Sequence, residues 1–150
     1  MRTLILFSLV FSSLPFVSAS AQVTQDSIGM TGHLTIIVQG LNSDNGTVQI
    51  GLFNSEGTWK AGRDEFKATK IGIINGKAVW DVENIPYGFY AVRLFHDENN
   101  NDKMDTNFLG IPVESYGFSN NAKGLFGPPD FDKAKFVLDA QHHETMITVE

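Results

Sequence analysis

The stretch His33-Leu34-Thr35-Ile36-Ile37-Val38-Gln39-Gly40-Leu41-Asn42-Ser43-Asp44-Asn45-Gly46-Thr47-Val48-Gln49-Ile50-Gly51-Leu52-Phe53 changes its apolar content with a period of two on both sides of a polar break. Leu34, Ile36 and Val38 share one face, and Val48, Ile50 and Leu52 repeat the pattern. Alternation at two residues marks strands rather than helices. The Ser43-Asp44-Asn45-Gly46 break reads as the turn of a hairpin joining them.

Five further runs extend the rhythm, at 68–74, 78–82, 89–95, 134–138 and 145–149, giving seven short strands. Asn75-Gly76 sits between the third and fourth runs and supplies the two positive-φ positions of a type I′ turn, so those two strands are expected to be antiparallel neighbours. In the fifth run Tyr90, Val92 and Leu94 face one way and Ala91, Arg93 and Phe95 the other, the mark of a central strand covered on both faces. Residues 58–66 have room for a turn of helix at most. The fold class is all-β: an antiparallel seven-stranded sandwich with immunoglobulin-like or transthyretin-like connectivity and one long structured loop.

Residues 1–21 read as a signal peptide, with Arg2, an apolar run over 4–17 and Ala19-Ser20-Ala21 as the cleavage site. Residues 22–32 form a flexible leader, and 33–150 form the sandwich domain. Once 21 of the 150 residues are set aside, about 129 remain, enough to bury a core without staples. That matters because the chain has no cysteine, which excludes thiol catalysis and cysteine-ligated zinc. Without Arg2, ten Lys and Arg face seventeen Asp and Glu, and a net charge near −7 argues against a nucleic-acid partner. No later segment approaches the apolar length of a transmembrane helix. The chain is expected to be exported, to the periplasm or beyond.

Directly after the fifth run comes His96-Asp97-Glu98-Asn99-Asn100-Asn101-Asp102-Lys103-Met104-Asp105. With Asp97 as the first position, Asp97, Asn99, Asn101 and Asp105 put side-chain oxygens at positions 1, 3, 5 and 9, and Lys103 offers a backbone carbonyl at position 7. This is the order a calcium ion requires. Asp102 stands where glycine is usual at position 6, and Phe108 where a bidentate glutamate is usual at position 12. Glu114 is the replacement expected for that glutamate, with Glu98 second. Asp and Asn also dominate ordinary turns, but a local charge near −3 favours a divalent cation. Two amides among the ligands imply weak structural binding, at roughly 0.1 to 1 mM.

Residues 106–132 show no sustained alternation and are rich in Gly, Pro, Asn and aromatics. So long an excursion with so many rings is a packed, functional loop rather than a disordered one. Tyr116, Phe118, Ser119, Asn120 and Phe126 are its candidate binding surface, for a protein or carbohydrate partner; packing of Tyr116, Phe118, Phe126, Phe131 and Trp59 into a core is the competing account. Ser119 lacks a nucleophile elbow.

The segment HDENNNDKMDTNFLGIPVESYGFSNNAKGLFGPP at 96–129, with IPYGFYAVRLFHD at 85–97 leading into it, resembles the signature of the bacterial exported family domain of unknown function 2141. The resemblance covers residues 34–149 and implies an exported β-sandwich domain with no established activity. Locally, the Asp-Asn loop is similar to calcium-binding adhesin modules, and Ile85-Pro86-Tyr87-Gly88-Phe89-Tyr90 to the strand entry of carboxypeptidase-regulatory-like domains. The leading expectation is a noncatalytic module. One alternative is a metal-assisted hydrolase using His96, Asp97, Asp105 and Glu114; another is an envelope scaffold that takes a partner strand on a sheet edge.

Overall fold

The computed structural model describes residues 29–150. The expected signal peptide lies outside them, as does most of the expected leader, at whose end Thr31 already opens the first strand. The strands are β1 Thr31–Gln39, β2 Thr47–Phe53, β3 Lys67–Ile71, β4 Lys77–Pro86, β5 Gly88–Asp97, β6 Tyr116–Phe118, β7 Phe136–Leu138 and β8 His142–Thr148. Two short helices, α1 Glu56–Ala61 and α2 Phe131–Ala134, and a 3-10 turn at Ser119–Asn121 complete the fold. It is the expected all-β sandwich with one strand more than expected, because β6 has only three residues and so too little sequence to show a period.

One sheet has the order β4-β1-β8 and the other β3-β2-β5-β6, with β7 also paired to β5. The apolar faces of the two sheets meet in one core, where Leu34, Ile36, Val38, Val48, Ile50, Leu52, Tyr90, Val92, Leu94 and Ile147 are all buried.

Two neighbour assignments are corrected. β1 and β2 are not a hairpin: β1 pairs with β4 and β8, whereas β2 pairs with β3 and β5. Their apolar faces oppose one another across the core, an arrangement with the same alternation that edge-to-edge pairing produces. Likewise Asn75 and Gly76 take positive φ of 52° and 70° and close a tight turn, with Ile74 and Lys77 exchanging hydrogen bonds of 2.8 and 3.2 Å. Beyond that single bridge the strands part, β3 into one sheet and β4 into the other. A third departure is that β8 runs parallel to β1, so the sandwich is not wholly antiparallel.

The two crossovers hold each other. Asp44 accepts the backbone N–H groups of Asn75 and Gly76 at 2.9 and 2.8 Å, one on each carboxylate oxygen. At Gly46, φ is +71°, and a Cβ there would overlap the carbonyl oxygen of Asp97 and lie 2.7 Å from Glu98 Cα.

The outer face of the β3-β2-β5-β6 sheet carries a second cluster of Phe53, Trp59, Ala91, Phe118, Phe131 and Ala134. β5 is therefore covered on both faces, as the two-sided pattern at 90–95 implied. Trp59 stands edge-on to Phe53, Phe118 and Phe131 at 5.5, 5.9 and 6.1 Å, and its indole N–H donates to the Pro129 carbonyl at 2.8 Å. Arg93 lies 4.6 Å from the Trp59 ring and donates to the Trp59 carbonyl at 2.7 Å.

Asp44→Ala is expected to lower stability by about 1 kcal/mol, the worth of exposed hydrogen bonds to two backbone amides. Gly46→Ala should cost several times more, because backbone overlap adds to left-handed strain. Urea unfolding of both variants checks this; equal losses would show that the crossover tolerates a side chain at position 46.

Candidate functional site

β5 delivers Asp97 to the end of its sheet, beside Thr47 at the start of β2. Pleating sends consecutive side chains to opposite faces. Asp97 therefore points toward Gln49 and the loop that follows, while His96 turns to the other face. Asp97 is fully buried. Its Oδ1 accepts the Asn101 N–H at 3.0 Å, and its Oδ2 accepts the Asp102 N–H and the Gln49 side-chain N–H, both at 2.9 Å. Burial pushes this carboxyl up, but the bonds from Gln49 and from the Asp102 and Asn101 amides, with Lys70 nearby, outweigh it and hold the group below the usual carboxylate value.

Around this anchor the loop curls. Asn99 Oδ1 accepts the Asn101 N–H at 3.0 Å, and Asn101 Oδ1 accepts the Lys103 N–H at 2.8 Å, each two residues on. Asn100 and Asp102 adopt positive φ of 57° and 64°, so aspartate fills the left-handed position without glycine. Asp105 accepts the side-chain amides of Asn99 and Asn101 at 2.6 and 3.1 Å. Glu114 closes the ring: Oε1 accepts the Glu98 N–H at 3.1 Å and Oε2 the Asp105 N–H at 2.9 Å, clasping both ends of the loop. Asp97, Asn99, Asn101, Asp105 and Glu114 thus lie in one network, and Lys103 joins it through its backbone N–H. Two partners came from elsewhere in the chain. Gln49 donates to Asp97 and Asp102, and Lys70 of β3 pairs with Asp102; only the register of β2 and β3 against β5 reveals either.

His96 does not join that network. Its Nε2 donates to the Asn45 carbonyl at 2.7 Å, while the buried Nδ1 lies 3.6 Å from Glu98 and makes no hydrogen bond. Among the described residues, no three His, Cys, Asp or Glu side chains stand ready to hold a metal between them.

The excursion separates its candidate residues. Phe118 is buried, Tyr116 partly so, and both pack with the Trp59 cluster. Ser119 is fully buried: its hydroxyl accepts the Val92 N–H at 2.8 Å and donates to the Ala134 carbonyl at 2.6 Å. Asn120 is exposed and donates to the carbonyls of Lys133 and Lys135. Phe126 lies wholly in solvent, next to Leu125 at 94% exposure. A second apolar tip, unforeseen from the sequence, is Phe108-Leu109 at 94% and 68% exposure. It crowns a tight turn in which Asn107 Oδ1 accepts the Leu109 and Ile111 amides at 2.9 and 3.1 Å.

The family model described as "Uncharacterized protein conserved in bacteria (DUF2141)" matches residues 36–146. No curated protein and no solved structure matches the chain. No described helix is long and apolar enough to cross a membrane.

Asp97→Asn retains an acceptor for one side only and turns an N–H toward donors on the other, so a loss of about 2 kcal/mol at neutral pH is expected. The native carboxylate titrates below the ordinary value of 3.8, so its stabilisation is complete above that pH and vanishes as pH falls through the native value. Urea melts of both proteins between neutral pH and strong acid should therefore converge only in acid; a gap independent of pH would rule out the charged acceptor as its cause.

Proposed function

We propose, for a chain that belongs to the bacterial family DUF2141, the role of an exported, noncatalytic β-sandwich module that meets a protein or carbohydrate partner through the two apolar turn tips of its long excursion. The observation that carries this is the contrast within one segment. Phe118 and Phe131 pack beneath Trp59, whereas Phe108, Leu109, Leu125 and Phe126 are held out on turns whose bases are hydrogen-bonded or packed. Large apolar side chains kept in water by an ordered scaffold mark a contact surface. The contact surface proposed from sequence narrows to Asn120 and Phe126 and gains Phe108; Tyr116, Phe118 and Ser119 support it from within.

In the same proposal the 97–105 loop takes up calcium weakly and so stiffens the base of the Phe108 tip. What favours this is the convergence of Asp97, Asn99, Asn101 and Asp105 with Glu114 across the loop mouth. A cation would displace the two amide N–H groups that now satisfy Asp105. Asp97 anchors the loop with or without it.

Two measurements check these readings. At ten times its dissociation constant, calcium adds about 1.4 kcal/mol, a melting increase of roughly 3 to 8 °C over chelated protein; an unchanged melt with no calorimetric heat removes the cation from the proposal. A photocrosslinking side chain at position 126 should give one discrete adduct in cells, diminished by Phe108→Ser, while Phe108→Ser itself leaves folding within about 0.5 kcal/mol. Adducts from neither position 108 nor position 126 would sink the contact surface.

A further inference from the structure

The parallel pairing of β1 with β8 sets His33 directly opposite His142. Their imidazole centroids are 5.5 Å apart and the ring planes are tilted by 50°. Two imidazoles sharing one metal through nitrogens at roughly 2.0–2.1 Å place their centroids about 5 Å apart at a tetrahedral angle, so this pair is spaced as a metal would space it.

The surroundings favour the same reading. His33 Nε2 lies 3.2 Å from Asp81 Oδ1, an oxygen that also accepts the Thr35 hydroxyl at 2.6 Å. A carboxylate that takes the proton of one ring nitrogen leaves the other as a lone pair and raises its basicity, the usual support of a metal-bound histidine. That assigns Nε2–H to Asp81 and Nδ1 to a ligand. Among the described residues Nδ1 makes no hydrogen bond, and neither does the exposed His142 ring. The corner is shaped as well. Register slips between Gly32 and Leu34 against β4, Asn84 takes a positive φ of 56°, and an open depression of about 280 Å³ at this corner is lined by Thr31, Gly32, His33, Glu83, Gln141 and His142, among others.

We infer that His33 Nδ1 and His142 form a two-imidazole clip for a borderline first-row divalent cation of the zinc class, with water completing the shell. Imidazole nitrogen selects zinc, copper or nickel over calcium and magnesium. The clip is distinct from the 97–105 loop, since it lies at the start of β1 and that loop lies beyond the other end of the sandwich. A bound ion joins β8 to β1 at the corner where their pairing begins.

Zinc chloride titrated into the untagged chain at neutral pH, followed by calorimetry and by amide NMR shifts, tests this. One equivalent should bind and shift the resonances of residues 31–35 and 140–144. His142→Gln and His33→Gln should each weaken binding by at least about tenfold, and Asp81→Asn by about tenfold through the lost support of His33. His143→Gln should bind like the parent, because that ring is stacked on Phe136 at 4.9 Å. His142 is exposed, so its variant should keep the parent's melting temperature. Absence of zinc binding to the parent, or binding undiminished in His142→Gln, overturns the assignment.

Discussion

The far edge of β5 is the constraint around which this molecule is arranged. β2 satisfies one side of that strand from Ala91 to Asp97, but the polar backbone groups on the other side need partners of their own. No single strand provides them. β7 takes Gly88, Phe89 and Tyr90, β6 takes Arg93, Leu94 and Phe95, and in the gap between them the Ser119 hydroxyl receives the Val92 N–H. The long segment between β5 and β7 is thus no decoration. It is the route by which the chain assembles a missing strand from two fragments and a side chain.

Trp59 makes that patchwork durable. One indole touches Phe53 of the sheet, Phe118 of one fragment and Phe131 beside the other, and holds the intervening Pro129 by a hydrogen bond. Arg93 under its ring joins α1 to the same strand. Because both fragments rest on this cluster, the turn between them can carry the Leu125-Phe126 tip in water without loss of order. Glu114 plays the corresponding part at the other end, where its two oxygens fix the start and finish of the Asp-Asn loop.

The strands and the core-facing positions were legible in the chain because alternation reports which face a residue occupies. It does not report which strand lies alongside. β1 and β2 face each other across the core with the pattern that paired neighbours would show, and Asn75-Gly76 forms its turn although the strands beyond it diverge. The Asp-Asn loop could be read in outline, since its bonds run mainly between residues two to six apart and spacing encodes them. Gln49 and Lys70 could not, as they reach the loop only through sheet register. Aromatic content marked the excursion as ordered, yet nothing in composition separates Phe118, which packs, from Phe126, which does not.

The parallel pairing of β1 with β8 bears on how the chain reaches this state. β1 is the middle strand of its sheet, and one of its two neighbours is the last strand of the fold. During synthesis that sheet cannot close until residue 148 has emerged, and its most distant contact must form against the largest loop-closure entropy in the molecule. Closure of that sheet therefore waits for β8, the last of the described strands to be made. A product cut short before β8 leaves one side of β1 open as an edge prone to association.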